Sequence, residues 1–406
     1  MNFMQRKLRA GVILSSAEES GGGFVQSANI ARLLRPEPAD LYSVEYVALD
    51  QRDTDALGRA GVPVTLAFGT GKLRAAVEHS IARSQALRTI ARRTVEMLPR
   101  RSGSLDGLAK SRSYDLLVLT SPSRHARSIV KTPFIFTLWD LCHRDHPEFP
   151  EIAGDGSFKW REELFRYALS RSSAFIVDSE QLARRAAALY GVDEHRAVIV
   201  PYLPSQELLQ QPLAPGADAE RLKTKYGLRR PFLFYPAQFW PHKNHAYILR
   251  AILLLKETHN CAVDAVFSGS DKGNLENLKA LANRMGIGDQ IKFPGFVPTT
   301  EIALFYRHAL ALVMPTYFGP TNIPPLEARA LGCRVIYSDE PGFREFCGDD
   351  TFYCNLSSPE SLVDCVLKAM ETPRPAATPP ASEELGRANL RRTMNALASK
   401  LSSWRF

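Results

Sequence analysis

Two stretches of this 406-residue chain place a charged side chain beside the start of a helix, just after a short apolar strand. In ALVMPTYFGPTNIPPLEARALG, residues 311–332, the strand-length run Ala311 to Met314 stops at Pro315. A loop of Gly, Pro, Thr and Asn follows, and a helix opened by Pro324 and Pro325 then carries Glu327. Proline is tolerated in a first turn because the N–H it lacks has no helical partner there. In an open α/β sheet the carboxyl ends of strands are where ligands bind, and a helix N-terminus favours an anion. An ordinary strand–loop–helix unit with a dipole-complementing glutamate reads the same way. In FYPAQFWPHKNH, residues 234–245, Lys243 stands just before a helix, where it suits a diphosphate or is simply a solvated lysine. Phe239 and Trp240 in that turn suit packing of the interdomain floor more than ligand contact. SGGGF, residues 20–24, offers backbone N–H groups to a phosphate or carboxylate, or is a plain tight turn. It is not GxGxxG, so nothing here calls for NAD. Asp53-Thr54-Asp55 has the look of a metal–diphosphate pair, a pattern that also arises by chance in a helix's first turn.

These residues need elements to hold them. Strand-like runs at Leu8–Leu14, Val44–Leu49, Leu116–Leu119, Phe134–Leu138 and Ala174–Val177 alternate with helical segments, of which Gly23–Leu34 is the first. A second alternating set begins at Phe232–Tyr235 and continues through Ala265–Phe267, Ile291–Phe293, Leu310–Met314 and Val335–Tyr337. Alternation of this kind specifies an α/β fold with parallel, doubly wound sheets. We therefore expect two Rossmann-like domains in tandem, residues 1–205 and 206–381, with Gln206–Pro215 as the link between them. Thr372–Pro380 is a proline-stiffened linker, and a helix over 382–406, begun by Ser382 with Glu383 and Glu384 in its first turn, packs back on the N-terminal domain.

The formal charge of +8 points to an anionic partner. Part of the excess is local: residues 72–112 hold ten Lys or Arg against three acids, with Leu73, Val77, Ile81, Leu87, Ile90, Val95 and Leu98 near helical spacing. That is either a basic amphipathic helix at an anionic membrane surface or a core-packed helix with a solvated basic face. No aromatic-interleaved basic motif or zinc-finger spacing supports nucleic acid. The six cysteines are scattered without a CxxC pair, as suits reduced thiols in a cytoplasmic compartment. The N-terminal apolar stretch is strand-length, too short for a signal peptide, and no run reaches bilayer length.

In order along the chain, Lys243-Asn244-His245, VFSG at 266–269, KFPGFV at 292–297, the helix 300–308 and PTYFGPTNIPPLEARALG form a specific set. The second half resembles retaining glycosyltransferases of the GT-B type, in the nucleotide-sugar group that includes bacterial mannosyl- and rhamnosyltransferases. The glycine turn and TPFIFTLWDLCHRDHPEF, residues 132–149, resemble the acceptor-side loops of such enzymes more loosely. The resemblance implies two domains facing across a cleft. It implies that Glu327 holds the ribose hydroxyls, Lys243 the diphosphate, and Phe296 and Val297 the base. Thr321, Asn322 and Ile323 match the loop facing the diphosphate and sugar, Gly22 and Gly23 the turn beneath the sugar phosphate, and Asp140 a residue orienting the acceptor hydroxyl.

Three positions depart from the pattern. Gly319 stands where the first of two paired glutamates belongs, Gln238 where an arginine accompanies the lysine, and Trp139 where a histidine precedes Asp140. Asn322 and Thr321, with His143 or His146 on the acceptor side, are the substitutes at hand. The expectation is a metal-independent hexosyltransferase with no cofactor beyond its nucleotide diphosphate sugar. GDP-mannose is the expected donor, with rhamnose as the next sugar, and a glycan or lipid-linked acceptor of bacterial surface polysaccharide (O-antigen, lipopolysaccharide) synthesis is expected at the inner membrane face. The alternatives are a metal-dependent transferase, a nucleotide-sugar epimerase, and a non-catalytic nucleotide-binding subunit of a glycan-assembly complex.

Overall fold

The structure, a computed structural model, describes residues 6–15, 22–49, 54–67, 105–211, 215–319, 322–378 and 382–402. The chain forms two compact units: Met1–Trp139 with Arg161–Pro201 and Glu383–Phe406, and Asp140–Trp160 with Tyr202–Ser382. This division differs from a sequential one in its grouping of Asp140–Trp160 with the second unit and of the last helix with the first.

In the first unit the strands are β1 (Leu8–Leu14), β2 (Tyr42–Ala48), β3 (Leu66–Ala67), β4 (Leu116–Leu119), β5 (Phe134–Thr137), β6 (Ala174–Val177) and β7 (Ala197–Ile199). They form a parallel sheet in the order β3-β2-β1-β4-β5-β6-β7, with Leu8 opposite Tyr42 and Ala10 opposite Leu116. Every residue of β4, β5 and β6 is buried, as expected of strands covered on both faces. The C-terminal helix Ser382–Ser402 belongs to this unit. Glu383 meets Arg32 at 2.6 Å, Arg391 meets Asp40 at 2.7 Å, and Leu390, Met394 and Ala398 are buried. The helix thus packs on the N-terminal sheet domain.

The second unit contains β8 (Phe232–Pro236), β9 (Asp264–Ser268), β10 (Ile291–Gly295), β11 (Ala311–Met314), β12 (Val335–Ser338) and β13 (Phe352–Cys354), all parallel, in the order β10-β9-β8-β11-β12-β13. The strand order reverses between β8 and β11, and ligands bind beyond the carboxyl ends of the strands at such a switch point. The loops leaving β8 and β11 lead to Lys243 and to the helix that carries Glu327. Short edge strands β3, β7 and β13 escape a reading of the sequence because two or three residues carry no periodicity of their own. The expected link Gln206–Pro215 holds a helical turn, Gln206–Leu209, capped by the Ser205 side chain accepting from the Leu208 N–H.

Candidate functional site

The loop after β8 reaches the switch point through a close backbone approach. Gly269, at the end of β9, has φ 156°, and a Cβ there would lie 2.4 Å from the Ala237 carbonyl oxygen, so only glycine lets the two strand ends come together. Beyond this, Pro241–Lys243 forms a single turn and Asn244 adopts a left-handed conformation, from which the helix His245–His259 starts. The Tyr235 hydroxyl donates to the Lys243 carbonyl at 3.0 Å. The Lys243 side chain is half-buried with its ammonium packed among protein groups, and this desolvation lowers its pKa to about 8.

The partner loop follows β11. The Lys243 ammonium donates to Asn322 Oδ1 at 3.3 Å, and Asn322 Nδ2 donates to the Tyr337 hydroxyl at 2.7 Å. Asn322 stands at the N-cap of the helix Ile323–Ala330, yet its side chain makes no capping bond, and its backbone sits at φ 56°, ψ 130°. A capping asparagine contributes about 1 kcal/mol. Here that contribution is given up and an unfavourable φ is held, which is the signature of a residue placed for its side chain. Pro324 and Pro325 also remove two of the first four N–H groups of this helix.

Gly319 lies in the same loop at φ 152°, and a Cβ there would be 2.8 Å from Asn322 Oδ1. The asparagine amide therefore occupies the space a glutamate at 319 would use. Glu327 is buried in the helix, and its Oε2 accepts from the Tyr306 hydroxyl at 2.9 Å. Burial raises its pKa, offset in part by Tyr306 and the Ser205 backbone N–H. Ile323 and Val297 are buried, while Phe296 is 83% exposed just beyond β10. The Gln238 side chain accepts from the Trp240 indole at 2.9 Å, and Phe239 is fully buried in this unit's own core. Thr321 and Asp53 lie outside the described residues, as does most of the 72–112 segment. Gly22 and Gly23 open the first helix of the other unit, and Thr54 and Asp55 open a short helix there.

The segment from Asp140 to Ala153 packs against the same loop. Cys142, Ile152 and Phe318 form a small buried cluster with Phe149 against it. Phe318 is stacked between His242, at 4.1 Å, and His146, at 4.9 Å. Glu151 Oε1 accepts from the His242 backbone N–H at 3.1 Å and lies 2.6 Å from His242 Nδ1. Burial first, then the charge of Lys243, lowers the His242 pKa, and the Glu151 carboxylate beside Nδ1 opposes this by favouring a proton on the ring. The His242 carbonyl in turn accepts from the Tyr317 N–H at 3.0 Å and the Thr316 hydroxyl at 3.3 Å. His143 is fully buried, edge-on to Phe158, and Asp140 Oδ1 accepts from the Cys142 N–H and thiol at 3.1 and 2.7 Å.

Residues 218–388 match the family model described as Glycosyl transferases group 1, and residues 54–202 match that of Glycosyltransferase Family 4. The chain is 30% identical over 183 residues to a D-inositol 3-phosphate glycosyltransferase of Thermomonospora curvata, a match covering 42% of each chain. It is 27% identical over 134 residues to the O-antigen chain mannosyltransferase RfbU of Salmonella typhimurium, covering 33% of this chain and 37% of that one. Each match thus spans less than half of the relative's length. Among solved structures, Anabaena Alr3699/HepE in complex with UDP and glucose superposes with a TM-score of 0.65 at 15% identity, covering 97% of this chain and 95% of that one. The chain has the GT-B fold, and both of its halves match glycosyltransferase families.

Within this GT-B chain the structure brings together Lys243 and Asn322 from the predicted set. It adds Glu151, His242, Phe318 and Tyr337, which sequence reasoning passed over. His242 had one local signal, its place between a proline and the lysine in a strand-end turn. Glu151 had none, because its partner lies 91 residues away and only the tertiary fold joins them.

Proposed function

We propose that this chain is a metal-independent hexosyltransferase that binds a nucleotide diphosphate sugar in the second unit. On this reading it transfers mannose or rhamnose, with retention, to a glycan or lipid-linked acceptor of bacterial surface polysaccharide synthesis. GDP-mannose is the first donor to try, and the cytoplasmic membrane face is the proposed location. The observation that carries the reading is the half-buried Lys243 held against Asn322 where the strand order reverses, a cation fixed at the ligand end of the sheet. The relative named for O-antigen mannosyl transfer supports the choice of sugar and acceptor class. Lys243 and the N–H groups of Asn322 and Ile323 stabilise the leaving diphosphate through dipoles already oriented before reaction. Glu327, whose Oε2 is held by Tyr306, takes the ribose hydroxyls, and Asp140 orients the acceptor hydroxyl. Among the described residues, no helix is long and apolar enough to cross a membrane.

The test incubates the protein with GDP-, UDP- and dTDP-hexoses and lipid-linked acceptors, with and without chelator. The reading expects product from one donor, undiminished by chelator, and at least a roughly tenfold loss of donor use in Lys243→Ala, equivalent to about 1.4 kcal/mol. Activity restored only by manganese would favour the metal-dependent rival. The absent carboxylate at 319 and the engagement of Asp140 by Cys142 favour one second reading, a nucleotide-binding subunit without transferase activity. Nucleotide binding with no transfer to any acceptor is its mark.

A further inference from the structure

β12 holds both ends of the loop that leaves β11. The two strands lie side by side, with Met314 opposite Tyr337, so the residues that end β12 stand beside the start of that loop. The Ser338 hydroxyl donates to the Thr316 carbonyl at 2.6 Å, which fixes the entry to the loop. Tyr337 reaches its far end, where the phenol oxygen accepts from Asn322 Nδ2 at 2.7 Å. The Tyr337 ring is fully buried and stacks on Phe343 with centroids 4.3 Å apart, so the hydroxyl has a fixed position.

Chemistry sets the orientation of the amide that lies between Tyr337 and Lys243. An ammonium only donates, so it faces Oδ1 at 3.3 Å, and Nδ2 is left for an acceptor, which the phenol oxygen supplies. Without that oxygen the amide is held at one end only. Asn322 also keeps φ 56°, ψ 130° and makes no capping bond, and the glycine at 319 leaves the space that its amide fills. The amide carries no charge. It therefore fixes the ammonium without neutralising it, and leaves the positive charge for an anion.

We propose that Tyr337 is a positioning residue of the donor site: its hydroxyl orients the Asn322 amide, and the amide sets the place of the Lys243 ammonium for the diphosphate. The assignment rests on the proposed donor site. It adds that the preference of that site for a diphosphate is set from β12, a strand whose own loop bears neither Lys243 nor Glu327.

Tyr337→Phe removes the hydroxyl and keeps the ring on Phe343. Calorimetry compares GDP with GMP and UDP with UMP, because only the diphosphates carry the second phosphate that Lys243 would hold. In the wild type the diphosphate of the preferred base binds more tightly than its monophosphate. In Tyr337→Phe that preference falls by at least about fivefold, the size of one hydrogen bond's net contribution, while monophosphate affinity stays within about twofold of wild type. Lost packing alone would weaken both nucleotides alike. Asn322→Gly removes the amide at a backbone conformation that glycine adopts readily, and should lose the preference to the same degree. Adding Tyr337→Phe to Asn322→Gly then lowers it no further, because the hydroxyl acts through the amide. An unchanged preference in Tyr337→Phe, an equal loss for both nucleotides, or a further loss of about fivefold in the double variant overturns the proposal. Should Tyr337→Phe not fold, an unchanged preference in Asn322→Gly overturns it. A wild type that binds no nucleotide, or binds diphosphate no better than monophosphate, refutes the donor site itself, an outcome distinct from a preference that survives loss of the hydroxyl.

Discussion

Asn322 and Gly319 share one space in the loop after β11. The sequence lacks a glutamate at 319, and the structure gives a steric reason: the asparagine amide that receives Lys243 lies where a 319 side chain would begin. Introducing a glutamate at 319 alone is therefore expected to be harmful. Gly319→Glu is expected to destabilise the second unit by about 1–3 kcal/mol, from the left-handed φ and the displaced amide, and to lower donor affinity. Denaturant titration and calorimetry check this, and a variant as stable as wild type with better donor use would contradict the packing described for the loop. The placement of Glu327 and Lys243 at strand-to-helix junctions was legible in the sequence. What each side chain touches was not, since Tyr306, Asn322 and Tyr337 are distant in the chain.

At the scale of elements, the helix His245–His259 begins with a histidine no pattern would place in a core. His245 is 1% exposed, lies against Tyr235, Phe239 and Phe267, and has no hydrogen-bond partner at either ring nitrogen. Burial, then the nearby Lys243, lowers its pKa to about 3. In the unfolded chain it titrates near its ordinary value, about 6.5. Below that pH the unfolded state binds a proton the folded state refuses, so stability falls as pH drops from about 6.5 towards 3. His245→Leu should remove about one proton from the uptake on unfolding, flattening the dependence of stability on pH by about 1.4 kcal/mol per unit between pH 5.8 and 4.5. Denaturant melts across that range test it, and an unchanged slope would mean the ring is not held neutral. The strands flanking this helix were readable because buried parallel strands are continuous apolar runs. The segment 140–153 was not assigned to the second unit, because the bonds that place it there, Glu151 to His242 and Phe149 to Phe318, join residues far apart in sequence.

At the scale of the molecule, alternating strand and helix signals were enough to specify two doubly wound units, and the C-terminal helix closes the first of them through Arg32, Asp40 and Asn395. The donor base, the sugar and the acceptor are not encoded in alternation or spacing. On the proposed reading the donor base and sugar are set by a few side chains around the switch point of the second unit. The central claim is that Lys243 anchors a nucleotide diphosphate there. The direct measurement is a thermal-denaturation panel of nucleoside diphosphates and their sugars on wild type and Lys243→Ala at pH 7. Ligand at about 100 times its dissociation constant adds about 2.7 kcal/mol to the state that binds it. A raised midpoint with ligands of one base in the wild type, and loss of most of that rise in the variant, is the expected result. No rise with any nucleoside diphosphate, or an equal rise in Lys243→Ala, would contradict it.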